Sequence, residues 1–67
     1  MGAKNYRPIY NYRIVFEKKD GNFDIGKGYA VTQKEAEVNF NSVRLQLKPS
    51  TLKRSELYFR DQLIKKI

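Results

Sequence analysis

The chain has 67 residues, enough for one domain with a core only a few side chains deep, since so short a chain buries about 60% of its unfolded surface. It contains no Cys and no His, which removes disulfide staples, thiolate metal sites, imidazole ligands and the usual neutral-pH proton shuttle. Fourteen Lys and Arg against seven Asp and Glu leave a formal charge of +7, a surplus that points to a polyanionic partner or to solubility.

The excess charge is unevenly placed. Residues 1–31 carry six basic and three acidic groups, residues 32–47 two of each, and residues 48–67 six basic and two acidic. The opening MGAKNYRPIYNYR has no apolar run of signal-peptide length, and no stretch reaches the roughly 18 apolar residues of a membrane span. Tyr6 stands where N-terminal acylation after Gly2 needs Ser or Thr. The expected compartment is the cytoplasm, with no membrane partner, and residues 1–7 are expected to be flexible.

Tyr10, Tyr12, Ile14 and Phe16 alternate with Asn11, Arg13, Val15 and Glu17, the period-2 pattern of a half-buried strand. Asp20-Gly21 then predicts a two-residue hairpin turn. That turn pairs Phe16 with Ile25, Ile14 with Lys27, Tyr12 with Tyr29 and Tyr10 with Val31 on one apolar, aromatic face. On the other face it pairs Glu17 with Asp24, Val15 with Gly26, Arg13 with Gly28 and Asn11 with Ala30, so that Arg13 stands on a bare surface. A one-residue slip that sets Phe16 and Ile14 opposite glycines is disfavoured.

Within this hairpin, GNFDIGKG over residues 21–28 matches a phosphate loop except that Gly28 replaces the terminal Ser or Thr. A phosphate loop needs a helix beginning at the Lys, so that backbone amides point at the anion. Here the Gly and Lys fall inside a predicted strand, and the stretch reads as a turn followed by a strand.

TQKEAEVNFNSVRLQL reads as a helix. Thr32 and Glu35 form a capping box, Ala36, Phe40, Val43 and Leu47 share one stripe, and Lys48-Pro49 ends the run. Lys34, Glu37, Asn41 and Arg44 are expected on its solvated face. In STLKRSELYFRDQLIKKI, Leu57 and Phe59 alternate as in a strand, whereas Phe59, Leu63 and Ile67 repeat every four residues as in a helix. The favoured reading is a third strand near residues 55–60 and a terminal helix covering Leu63, Ile64 and Ile67. The expected class is α+β, a small two-layer strand-strand-helix-strand domain with one helix packed on an antiparallel sheet.

The scattered carboxylates Asp24, Glu35, Glu37, Glu56 and Asp61 suggest no paired acid and base and no metal cage, and the Ser and Thr hydroxyls have no His partner. No enzyme activity, cofactor or metal is expected. Tyr6 and Tyr58 are candidates for base stacking or a protein interface, and a charge run such as KPSTLKRSELYFR is most often only a solvated edge, which Lys and Arg also protect from aggregation.

NYRIVFEKKDGNFDIGKGYAVTQKEAEVNFNSVRLQL resembles the small N-terminal arm-type DNA-binding domain of tyrosine integrases from phages and conjugative transposons. In that family a tyrosine-bearing strand, a turn and a second strand lead through a Lys-Gly-aromatic step into a helix opening with Thr, Lys and Glu-Ala. The resemblance covers about half of the chain. It implies a sheet laid in the major groove of DNA, with Arg13 and Lys27 approaching the duplex. The family usually has three strands before the helix, and these 67 residues offer neither the room nor the residues expected of a recombinase domain. GKGYAVTQKEAE is also similar to the strand-to-helix junction of double-stranded RNA-binding domains, without their basic helix start or first helix. KRSELYFRDQLIKKI is similar to the last strand of archaeal ribosomal protein LX.

Two functions are expected on this basis. The first is a basic, non-enzymatic nucleic-acid-binding protein, DNA ahead of RNA, acting as an accessory or regulatory protein of phage or mobile-element origin. Its phosphate contacts would be Arg13, Lys18, Lys19, Lys27, Lys53, Arg54 and Arg60. The second is a protein-binding inhibitor or adaptor that docks through a sheet edge and exposed aromatics, and the same edge offers a route to a homodimer.

Overall fold

A computed structural model describes residues 10–67. The expectations placed on residues 1–7 and on Tyr6 lie outside the described residues. Strands β1 (Tyr12–Lys18) and β2 (Phe23–Gly28) form the first hairpin, α1 (Gln33–Gln46) follows, and a 3-10 turn (Pro49–Thr51) leads to β3 (Leu52–Phe59) and β4 (Gln62–Lys66). The sheet order is β2-β1-β3-β4, and every neighbouring pair is antiparallel. The domain is therefore α+β as expected, with α1 crossing between β2 and β3 in a split β-α-β arrangement that leaves β1 between them.

The first hairpin corrects the expected register. Its loop holds three residues, Lys19, Asp20 and Gly21, closed by Gly21 N–H donating to Lys18 C=O at 2.9 Å and Lys18 N–H to Asn22 C=O at 2.8 Å. Gly21 takes the left-handed conformation, φ +94°, that closes such a loop behind a tight turn. Asp20 supports it by accepting from the Asn22 amide at 2.9 Å. One extra loop residue shifts every pair: Phe16 faces Asp24, Ile14 faces Gly26, Tyr12 faces Gly28, and Arg13 faces Lys27. The glycines thus lie on the helix side of the sheet and do not clear a surface around Arg13, because a one-residue shift exchanges the two faces of β2.

The chain end corrects a second expectation. Residues 62–66 form a fourth strand on β3, and no terminal helix follows. Arg60 and Asp61 both have positive φ, 52° and 64°, the signature of a type I′ two-residue turn, although neither residue is Gly. Between the pairs Leu57–Lys65 and Tyr58–Leu63 the register shifts by one residue, leaving Ile64 as the extra one, and Ile64 packs on the core.

Helix α1 begins as its sequence dictates. Thr32 Oγ1 accepts from the Glu35 amide at 3.2 Å, and the Glu35 carboxylate reaches back to the Val31 amide at 2.9 Å. Ala36 and Phe40 are fully buried against Ile14, Phe16, Leu52, Leu57 and Phe59, and the Phe16 and Phe40 rings stack at 5.7 Å. Val43, expected in that stripe, is partly exposed beside β2, and Arg44, expected in solvent, is half-buried with its Nε donating to the buried Ser55 Oγ at 3.3 Å. The helix packs mainly on β3, with Phe40 stacked on Phe16 of β1, and its flank toward β3 is where Arg44 meets Ser55. The described α1 is not long and apolar enough to cross a membrane.

Two glycines of β2 behave differently. A Cβ on Gly28 would stand 2.5 Å from the Tyr12 Cζ, and Tyr12 has little freedom to retreat because its hydroxyl accepts from Asn39 Nδ2 at 3.2 Å. A Cβ on Gly26 meets nothing within 4 Å. Gly28→Ala is expected to cost about 1–3 kcal/mol through overpacking. Gly26→Ala is expected to add about 0.4–1 kcal/mol by restricting the unfolded chain. Thermal denaturation of the two variants checks both signs.

Candidate nucleic-acid interface

One face of the sheet carries α1 and the other is left open by the described residues. On the open face the side chains of β2, β1, β3 and β4 line up in rows set by the ladders. One row reads Lys27, Arg13, Tyr58, Leu63; the next reads Ile25, Val15, Glu56, Lys66; a third reads Phe23, Glu17, Arg54. The first row ends the sheet next to the Arg60-Asp61 turn, and the third lies next to the β1–β2 loop.

The charges of these rows are balanced differently. Glu17 pairs with Arg54 at 3.2 Å and Lys53 at 3.8 Å, Glu56 lies 3.8 Å from Arg54 Nε, and Lys18 pairs with Asp24 at 3.1 Å. Around the first row, no carboxylate among the described residues comes within ion-pair distance of Arg13, Lys27 or Arg60. Arg13 and Lys27 are nonetheless direct cross-strand partners, an arrangement of like charges that destabilises a sheet by a few tenths of a kcal/mol or more.

Aromatic rings support these two cations. The Arg13 guanidinium lies 4.5 Å from the centre of the Tyr58 ring, and the Lys27 ammonium 4.8 Å from that of Tyr10. Arg60 lies 5.3 Å from the Phe59 ring. Tyr58 is half-buried, its hydroxyl donating to Glu56 Oε1 at 3.2 Å, so its place is beneath Arg13 and not free in solvent. Together Tyr10, Asn11, Tyr12, Arg13, Lys27, Tyr58, Arg60 and Asp61 line a shallow concavity of about 380 Å³.

Asn11 ties these elements together. Its side chain bonds both backbone groups of Ala30, donating to the carbonyl at 2.7 Å and accepting from the amide at 2.9 Å. Its backbone amide donates to Gly28 C=O at 2.9 Å and its carbonyl accepts from Arg60 N–H at 2.8 Å. The start of β1, the exit of β2 and the β3–β4 turn are thereby locked at one place.

The seven cations expected to meet phosphate are thus divided. Arg13, Lys27 and Arg60 come together at the concavity. Lys18, Lys53 and Arg54 sit toward the opposite end in ion pairs, and Lys19 occupies the exposed β1–β2 loop. Sequence reasoning passed over Tyr10, Asn11 and Asp61 as parts of this site. Asn is disfavoured in strands, and its presence inside YNYRIVF was the available signal. Among the described residues no group of three or more Asp, Glu, His or Cys is placed to hold a metal ion. Compared with known protein families, curated proteins and solved structures, the chain matches none.

Asn11→Ala leaves both backbone groups of Ala30 without that partner and is expected to cost about 1–3 kcal/mol. Denaturant unfolding measures the loss, and amide exchange should show it concentrated at residues 28–30 and 60.

Proposed function

We propose that this chain is a non-enzymatic nucleic-acid-binding protein, with an accessory or regulatory role, that holds backbone phosphates at the Arg13, Lys27 and Arg60 end of its open sheet face. The reading rests on one observation above the rest: Arg13 and Lys27 are adjacent on neighbouring strands with no carboxylate in range among the described residues. Like charges held together at a cost to the sheet are readily accounted for by an anion that bridges them. The ring beneath each cation limits its side-chain freedom and leaves its outward side for the ligand. The resemblance to arm-type domains favours DNA over RNA and an origin in a phage or mobile element.

A partner protein is the second reading, supported by β2, an edge strand whose Phe23 and Ile25 are exposed. The salt dependence of binding separates the two. If three phosphates are neutralised, affinity for a mixed-sequence oligonucleotide should fall on the order of 20- to 40-fold between about 50 and about 200 mM salt. Arg13→Ala and Lys27→Ala should each weaken binding and reduce the magnitude of the salt slope by about one. Lys53→Ala and Lys18→Ala, which remove ion-paired cations, should change the slope much less. Fluorescence anisotropy reads all four, and absence of binding at low salt would favour the protein partner.

A further inference from the structure

Among the described residues, three cations of the open face without ion pairs, Arg13, Lys27 and Arg60, gather at one end, and Lys66 stands alone one row further on at the β4 edge. A face that tracks a length of duplex needs cations spread along it, since duplex DNA presents a phosphate about every 1.7 Å of its axis. Further along this face stand Val15 and Ile25, the single cation Lys66 at the edge, and Glu17, Glu56 and Arg54 in mutual ion pairs. The charge pattern fits one or two nucleotides better than a duplex tract.

The concavity has further features that phosphate alone does not use. Its floor includes the Arg13 guanidinium laid on the Tyr58 ring, and both guanidinium planes and aromatic rings stack unpaired bases. Its lining also includes Asp61, an acidic residue beside these cations whose carboxylate forms no ion pair among the described residues. A carboxylate repels phosphate but accepts N–H donors, and the Watson–Crick edge of guanine offers two side by side. In a duplex those donors are already engaged by cytosine.

The turn that supplies this carboxylate is expensive. Type I′ turns favour Asn-Gly, yet this one holds Arg60 and Asp61 at positive φ, the former held by the hydrogen bond its backbone N–H donates to the Asn11 carbonyl. Backbone strain of this kind gathers where a side chain must be delivered to a site.

Building on the nucleic-acid reading above, we infer that the concavity takes an unpaired nucleotide of single-stranded nucleic acid, guanine preferred. The base stacks on the Arg13–Tyr58 platform, Asp61 accepts from its Watson–Crick edge, and Lys27 and Arg60 hold the flanking phosphates.

Anisotropy titrations of the full chain test this with three labelled probes: a short oligothymidylate, the same strand with one central dG, and that strand annealed to its complement. RNA versions of the two single strands, with uridine for thymidine, show whether the sugar matters. The guanine-bearing strand should bind about tenfold or more tightly than either the all-thymine strand or the duplex. Asp61→Asn keeps a residue that tolerates positive φ, and it should erase the guanine preference while tightening binding to the all-thymine strand through the lost negative charge. These opposite changes would not follow from misfolding. Duplex binding equal to or tighter than the guanine strand overturns the inference and leaves the nucleic-acid reading standing, as does a guanine preference that survives Asp61→Asn or equal binding of the two single strands. Failure of every probe to bind at low salt overturns both.

Discussion

The left-handed backbone at Gly21 sets the chemistry of the open face. It allows a three-residue loop between β1 and β2, and that loop length places Lys27 opposite Arg13. A two-residue loop would turn Lys27 and Ile25 toward the helix, and would leave Arg13 beside glycine. Since side chains alternate strictly along a strand, no compromise between these arrangements exists. The cationic pair is therefore a consequence of one residue of loop length, more than 5 residues away along the strand.

At the other end of the sheet Asn11 does comparable work through hydrogen bonds. It satisfies Ala30 where the chain leaves β2 for α1, and it holds the amide of Arg60 in the β3–β4 turn. Gly28, beside it, makes room for the Tyr12 ring. These contacts bring a strand start, a strand end and a tight turn to one place, which is how residues 10–13, 27, 58, 60 and 61 come to share a concavity. The core beneath is independent of this chemistry: Phe16 and Phe40 stack, and Leu57 and Ala36 fill the space beside them.

The two ends of the open face differ in kind. Near the β1–β2 loop, Glu17 and Glu56 compensate Lys53 and Arg54, and these pairs are an ordinary way for a basic chain to hold together. Near the β3–β4 turn the cations lean on aromatic rings instead, and among the described residues none of them forms an ion pair with Asp61. A formal charge of +7 thus describes the molecule poorly, because part of it is compensated locally by ion pairs.

Local patterns in the sequence determined much of the fold. Alternation over residues 12–17 established β1, the Thr32 and Glu35 cap with its apolar stripe established α1, and Leu57 and Phe59 established the middle of β3. They also placed Arg13, Lys27 and Arg60 among the candidate contacts. What tertiary structure decided was register and the last strand. Loop length chooses between faces, and Asp20-Gly21 is compatible with loops of two or three residues. Residues 62–66 hid their strand character because the bulge at Ile64 sets two apolar residues side by side, breaking the alternation, and because the turn before them lacks glycine. Grouping three of seven cations, and pairing three others with carboxylates, depends on contacts between strands distant in sequence, which no local pattern encodes.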